Sequence, residues 1–244
     1  WGGNVKMIKS QFVYNLKKDK GPYISFGIVI LITAIMLNLA LVLLFQVDKA
    51  YDNKFEDLHT ATMNVCIPKM QNTDTLKDDI KTLEGISEVE CREAIFLEAV
   101  VKDFRGADFS MNTVFYNKDE SRDINKLDIK EEKSVITEQS IYLPLYVASF
   151  GEFNLDEKII YEIGNKKHTF LVSGVLEEMQ YGNYGKGLMG AYLPGSVYKK
   201  FASEYEAHMI TEYSIIANGN TDINVLNNEI NNLLDKKEIK MLTS

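Results

Sequence analysis

Ile24-Ser25-Phe26-Gly27-Ile28-Val29-Ile30-Leu31-Ile32-Thr33-Ala34-Ile35-Met36-Leu37-Asn38-Leu39-Ala40-Leu41-Val42-Leu43-Leu44-Phe45 runs for 22 residues without a charge. Wound as a helix, the stretch is about 33 Å long, enough to cross the hydrocarbon core of a bilayer. Lys6, Lys9, Lys17, Lys18 and Lys20 stand before it against a single acid, Asp19. After it come Asp48, Asp52, Glu56 and Asp57, with only Lys49 and Lys54. The basic flank stays in the cytoplasm, which places residues 46–244 outside. A signal peptide has a shorter apolar region and an A-x-A cleavage pattern, and Phe45-Gln46-Val47-Asp48-Lys49-Ala50-Tyr51 offers none. A buried core helix with no polar face is unusual in so small a domain. The chain therefore reads as anchored in the membrane of the cell by one span.

Outward from the span, Ile8, Phe12 and Leu16 recur at helical spacing among lysines, a short basic helix for the inner membrane surface. Gly21-Pro22 breaks it. Trp1 to Lys6 precede the first methionine, Met7, and Trp-Gly-Gly back-translates to a purine-rich sequence of the ribosome-binding type. Met7 is thus the expected natural start. With one span in hand, the chain is expected to be part of something larger. Beyond the span, Val47, Tyr51 and Phe55 extend the helical row as a charged stalk.

The net charge of −8 divides into +4 over residues 1–45 and −12 over the remainder. An acidic exterior argues against nucleic acid and against anionic lipid headgroups as ligands. His59, His168 and His208 are scattered, and neither they nor Cys66 and Cys91 have metal-ligand spacing. The two cysteines can in principle pair outside the cytoplasm; the fold expected below separates them, and two free, buried thiols are the favoured reading.

Met63 to Ile67 reads as a strand, Asp74 to Leu83 as a helix with Leu76, Ile80 and Leu83 on one face, and Ile86 to Val101 as a strand. At an offset of 150 residues, Met63–Ile67 aligns with Tyr213–Ala217, and Leu76, Ile80 and Leu83 align with Leu226, Ile230 and Leu233. Two equal strand–helix units are the halves of a split ferredoxin-like layer, with the strand of Ile215 between those of Cys66 and Cys91. The residues between the halves look mostly β. Asn112–Tyr116 and Ser134–Thr137 are strand candidates, and Lys158–Ile163 and His168–Val175 flank a Gly164-Asn165 hairpin turn.

The expected divisions are 1–22, a cytoplasmic leader and amphipathic helix; 23–45, the transmembrane helix; 46–60, a helical stalk; 61–103, the first half of the layer; 104–210, a β-rich inserted subdomain; and 211–244, the second half. The fold class is α+β.

No Ser/His/Asp set or carboxylate pair supports catalysis, no cofactor is implied, and runs such as Asp128-Ile129-Lys130-Glu131-Glu132-Lys133 are solvated faces. Gly182-x-x-Gly185-Lys186-Gly187 lacks the earlier glycine and the following Ser or Thr of a phosphate loop, because Gln180 and Gly187 occupy those places. The glycine-rich stretch Tyr181–Gly190 is either a solvated loop or a contact loop offering Tyr181, Tyr184 and Tyr192 to a substrate or partner. In the span, Asn38 with the small residues Gly27 and Ala34 marks a face for packing against other membrane helices.

This layout resembles the N-terminal part of MacB/FtsX-type ABC transporter permeases: a cytoplasmic amphipathic helix, a first span, then a split ferredoxin-like layer with a β-rich insertion. The most specific likeness is Asn154-Leu155-Asp156-Glu157-Lys158-Ile159-Ile160-Tyr161 followed by Phe170-Leu171-Val172-Ser173-Gly174-Val175. Asp156-Glu157 departs from the Gly-Asp usual there. The resemblance implies a permease subunit, in a dimeric assembly, whose ATP hydrolysis belongs to a separate cytoplasmic ABC ATPase. It also implies further membrane helices and a peptide, lipid or drug-like substrate. The alternative is a single-span receptor or surface-binding protein; a membrane-anchored enzyme needs a catalytic cluster that the residues do not supply.

Overall fold

The computed structural model describes residues 14, 20–69, 73, 75–181, 187–219 and 221–242. The basic helix expected from Met7 to Lys20 falls almost wholly outside them, as do Met7 itself and Tyr184. The chain forms two compact units, Trp1–Asn53 and Lys54–Ser244.

Helix α1 spans Lys20–Asp57, 38 residues without interruption. Pro22 is tolerated because it sits in the first turn, where backbone N–H groups have no partner within the helix. Every side chain from Ile24 to Phe45 is exposed. Leaving such side chains in water costs roughly 1.5–3 kcal/mol each. Summed over the run, this exceeds the 5–15 kcal/mol or so by which a domain is stable. Lipid is the medium that removes the penalty, and α1 is the one helix among the described residues long and apolar enough to cross a membrane. Two polar side chains within the apolar run turn back on the helix: Thr33 Oγ1 donates to the Val29 carbonyl at 2.8 Å, and Asn38 Nδ2 to that of Ala34 at 3.4 Å.

The second unit begins with strand β1 (Met63–Pro68), helix α2 (Leu76–Lys81) and the long strand β2 (Ile86–Phe104). Near the C-terminus come β9 (Met209–Ala217) and α5 (Ile223–Lys236). β9 lies antiparallel between β1 and β2, with Asn64 opposite Ser214 and Ser214 opposite Glu90. Val65, Ile67, Val89, Tyr213 and Ile215 face one way and bury Leu76 and Ile80 of α2 and Leu226, Ile230 and Leu234 of α5. The Asp222 side chain caps α5 by accepting from the Asn224 N–H at 2.8 Å. On the free edge of β1, the Leu242 N–H donates to the Cys66 carbonyl at 2.9 Å, where the fourth strand of a ferredoxin-like layer runs. The fold class read from the sequence, an α+β layer split by a β-rich insertion behind one apolar helix, is the fold observed.

The insertion curls into a barrel. It comprises β3 (Ala107–Asn117), β4 (Asp128–Glu132), β5 (Ser140–Pro144), α3 (Leu145–Gly151), β6 (Lys158–Ile163), β7 (Lys166–Glu177), β8 (Leu188–Leu193) and α4 (Gly195–Glu204). The pairings β2–β3, β3–β8, β8–β5, β5–β7, β7–β6 and β6–β2 return to their starting strand. β4 is added outside, on β7. Ile95, Leu97 and Val101 of β2, Phe115, Ile141, Tyr161, Val172 and Met189 fill the interior, and Val147 of α3 with Phe201 of α4 join that core. In the β6–β7 hairpin, Gly164 has φ +57, the positive value that primed two-residue turns require.

Three expectations need correction. Ser134–Thr137 is not a strand; the strands lie on either side, at β4 and β5. Ser140 Oγ accepts from the Thr137 N–H at 2.8 Å while the Ser140 N–H donates to the Thr137 carbonyl at 3.1 Å, and this turn claims the backbone a ladder would need. The glycine-rich stretch ends earlier than its composition suggests, because Leu188, Met189 and Gly190 pair with β3 as part of β8. Cys66 and Cys91 are both free and on strands separated by β9, but Cys91 is exposed. It lies two residues beyond Val89, where the core under α2 and α5 ends.

Gly174, the glycine of the Phe170–Val175 segment, has a packing reason. A Cβ there meets the buried Tyr142 ring at 2.3 Å and the Glu131 carbonyl at 3.0 Å. Gly174→Ala is expected to destabilise the protein by about 1–3 kcal/mol through overpacking, measurable as a lowered thermal midpoint of the full chain.

Candidate functional site

Alternation along the layer strands sets two faces. The apolar residues at odd positions of β1, β9 and β2 go to the helices; Asn64, Cys66, Glu212, Ser214, Glu90 and Arg92 take the opposite face. In register, Glu212 lies between Cys66 and Arg92, and Ser214 between Asn64 and Glu90. The segment between β3 and β4 covers part of this face. Asn125, with φ +55, donates from Nδ2 to Asn64 Oδ1 and Ser214 Oγ, both at 3.0 Å, and accepts from the Ala61 N–H at 2.8 Å. Glu90 Oε2 accepts from Arg92 Nη2 at 2.6 Å and from the Ile124 N–H at 2.8 Å.

Glu212 is fully buried at the centre. Its Oε2 accepts from the Tyr116 hydroxyl, from Gln180 Nε2 at 2.6 Å and from the Tyr181 hydroxyl at 3.3 Å, and its Oε1 from Ser214 Oγ at 3.1 Å. An ionised carboxylate buried without such donors is prohibitively costly. Burial, followed by the Glu212 charge, drives the Tyr116 and Tyr181 phenols well above their ordinary range, so both stay protonated as donors. Desolvation and the same charge push the Cys66 thiol up, which removes it as a nucleophile.

Beside this network is a cleft of about 470 Å³, lined by Asn64 and Cys66 of β1, Phe96, Val114, Met179, Gln180, Tyr181, Leu188 and Met241. Its walls combine apolar side chains with the polar groups of Asn64, Cys66, Gln180 and Tyr181 in comparable share. Among the described residues, no three His, Cys, Asp or Glu side chains converge as a metal site.

Of the aromatic residues expected on a contact surface, Tyr181 lines this cleft, whereas Tyr192 is fully buried and stacked on Tyr116 at 5.5 Å. Tyr192 is a core residue because β8 carries it into the sheet beside β3. Tyr184 lies outside the described residues. In α1, Gly27, Ala34 and Asn38 fall on one exposed face by their spacing of seven and four. The sequence reading missed Glu212, Tyr116, Gln180, Glu178 and Arg122. The available signal was Glu212, the lone charge in the strand Met209–Ala217.

Glu178 is buried, and desolvation raises its carboxyl to about 7, against lowering from the Tyr181 and Gln180 N–H groups and Arg122. A carboxyl that holds its proton more tightly folded than unfolded withdraws stability as pH climbs from about 4.5 towards 7. Wild type is expected to lose roughly 3 kcal/mol at most over that window relative to Glu178→Gln. Parallel thermal melts of the two proteins from pH 4.5 to 8 measure the difference.

No family model matches the chain, and no curated protein matches it. Among solved structures it is similar to the periplasmic region of MacB from Actinobacillus actinomycetemcomitans, at 14% identity and TM-score 0.35, over 76% of this chain and 90% of that one. It is also similar to a permease-type domain from Porphyromonas gingivalis, at 8% identity and TM-score 0.33, over 71% of this chain and 82% of that one. At these values neither likeness bears on function, which rests on this chain's own residues.

Proposed function

We propose that the chain is the N-terminal portion of an ABC transporter permease, anchored by α1 with residues 46–244 outside the cytoplasm. The carrying observation is that α1 is one helix from Lys20 to Asp57 whose last turn is tied into the β domain. Lys54 Nζ lies 2.7 Å from Asp128 Oδ2 and 2.8 Å from Glu177 Oε2, and Lys130 reaches the same two carboxylates at 2.6 and 3.0 Å. The two carboxylates raise the Lys54 ammonium above its ordinary range. A helix with no break between membrane and domain is suited to carry motion from a cytoplasmic ATPase partner to the outer domain. Gly27, Ala34 and Asn38 supply the face that meets the other membrane helices of a dimeric permease. The cleft beside Tyr181 suits an amphiphilic peptide, lipid or drug-like substrate.

Purification of the full-length protein from native membranes is expected to bring an ABC ATPase with it. Absence of an ATPase, together with a full-length sequence that has no further spans, favours the receptor alternative instead.

Exposed Cys91 reports sidedness. A membrane-impermeant maleimide is expected to label intact cells and to lose that label in Cys91→Ser. Labelling only after lysis places the domain in the cytoplasm. Ala50→Pro, which breaks α1 at a cost of about 3 kcal/mol, is expected to leave the ATPase bound while uncoupling its activity from substrate.

A further inference from the structure

A separate pocket of about 320 Å³ lies among Arg122, Lys118, Lys126, Asp119 and Glu120 in the segment leading from β3 to β4. Arg122 is only 9% exposed. Its guanidinium carbon sits 4.9 Å from the Tyr116 ring centre and 5.1 Å from that of Tyr192. None of Nε, Nη1 and Nη2 has a hydrogen-bond partner. Aromatic faces offset part of the cost of a buried cation, but they accept none of the in-plane N–H bonds, and buried donors left unmade are costly. The guanidinium fork is shaped for the paired oxygens of a carboxylate or phosphate.

The other groups around it leave that role open. Asp119 Oδ2 accepts from the Gly195 N–H at 2.8 Å, and Lys118 Nζ is engaged by Glu132 at 2.9 Å and Asp119 at 3.4 Å. Burial raises the Glu120 carboxyl against the pull of Arg122 and Arg92, and it makes no hydrogen bond to the Arg122 guanidinium. Glu178 spends Oε2 on the Tyr181 N–H at 3.0 Å, and its buried Oε1 makes no hydrogen bond to the guanidinium. Lys126 is exposed and adds a second cation at the rim. The pocket is fixed to the chain that leaves α1, because the Asn125 and Lys126 N–H groups donate to the His59 and Leu58 carbonyls at 3.0 and 2.8 Å.

We propose that this pocket binds a small oxyanion, held by the fork of Arg122 and by Lys126. Its lining carries three cations, Arg122, Lys118 and Lys126, against two acids, Asp119 and Glu120, and shares no residue with the cleft beside Tyr181. The oxyanion is either a free ion or the phosphomonoester end of a larger molecule.

The test is thermal denaturation of the full chain in detergent, titrated with inorganic phosphate or glycerol phosphate against sodium chloride of equal ionic strength. Both probes are expected to raise the midpoint saturably, the tighter one identifying a free ion or an ester as the better fit. Lys126→Gln is expected to weaken binding about tenfold and Arg122→Gln to abolish it, as loss of a charge-assisted hydrogen bond implies. Should Arg122→Gln fail to fold, Lys126→Gln at the exposed rim carries the test alone. No saturable rise with either probe overturns the proposal, as does a rise that Lys126→Gln leaves unchanged. In either case Arg122 is a structural cation that turns to Glu120 or Glu178.

Discussion

Strand β2 is the constraint on which the domain is built. Its 19 residues run through both the split layer and the barrel. Val89 points into the core under α2 and α5, while Ile95, Leu97, Ala99 and Val101 continue on the same side of the strand into the barrel interior. Glu90, Arg92, Ala94 and Phe96 necessarily fall on the other side, where the polar network and the cleft lie. Because side chains alternate with a period of two, slipping β2 by one residue against β9 exchanges the two sets at once. The strand cannot serve one core in a different register from the other.

The second constraint is the burial of Glu212. A carboxylate without water is tolerated here because Tyr116, Gln180, Tyr181 and Ser214 all direct donors at it. Those donors come from β3, from the segment after β7 and from β9 itself, so the charge can be satisfied only when the insertion and the layer are assembled together. A network whose every member is needed specifies one arrangement more sharply than apolar packing does. That sharpness suits a cleft whose wall includes Gln180 and Tyr181.

Much of this was legible in the residues. The apolar run Ile24–Phe45 announced the span, and the row Val47, Tyr51, Phe55 announced its continuation as a helix. The matching pairs Leu76/Leu226 and Ile80/Ile230 announced the split layer, and all four are buried beneath it. Gly164-Asn165 marked the hairpin. What could not be read is whatever depends on partners distant in sequence. Tyr192 looks like a surface aromatic in a glycine-rich context and becomes core only because β8 pairs with β3. Cys91 shares a strand face with the core residue Val89, two positions before it, yet it is exposed. Arg122 sits in a short polar segment whose burial follows from the approach of Tyr116 and Tyr192 across 6 and 70 residues of chain.

The barrel's strands are joined by runs of paired residues except between β5 and β8, which meet at one pair, Tyr142 and Tyr192. Each ring has a cation over its face, Lys118 Nζ at 4.5 Å from the centre of Tyr142 and the Arg122 guanidinium at 5.1 Å from that of Tyr192. A ring of strands opens at its weakest joint, and the free energy of that opening is local, well below that of global unfolding. The Tyr142–Tyr192 seam is therefore the junction at which the fewest ladder pairs hold the barrel closed, and each of its two rings lies beneath a cation.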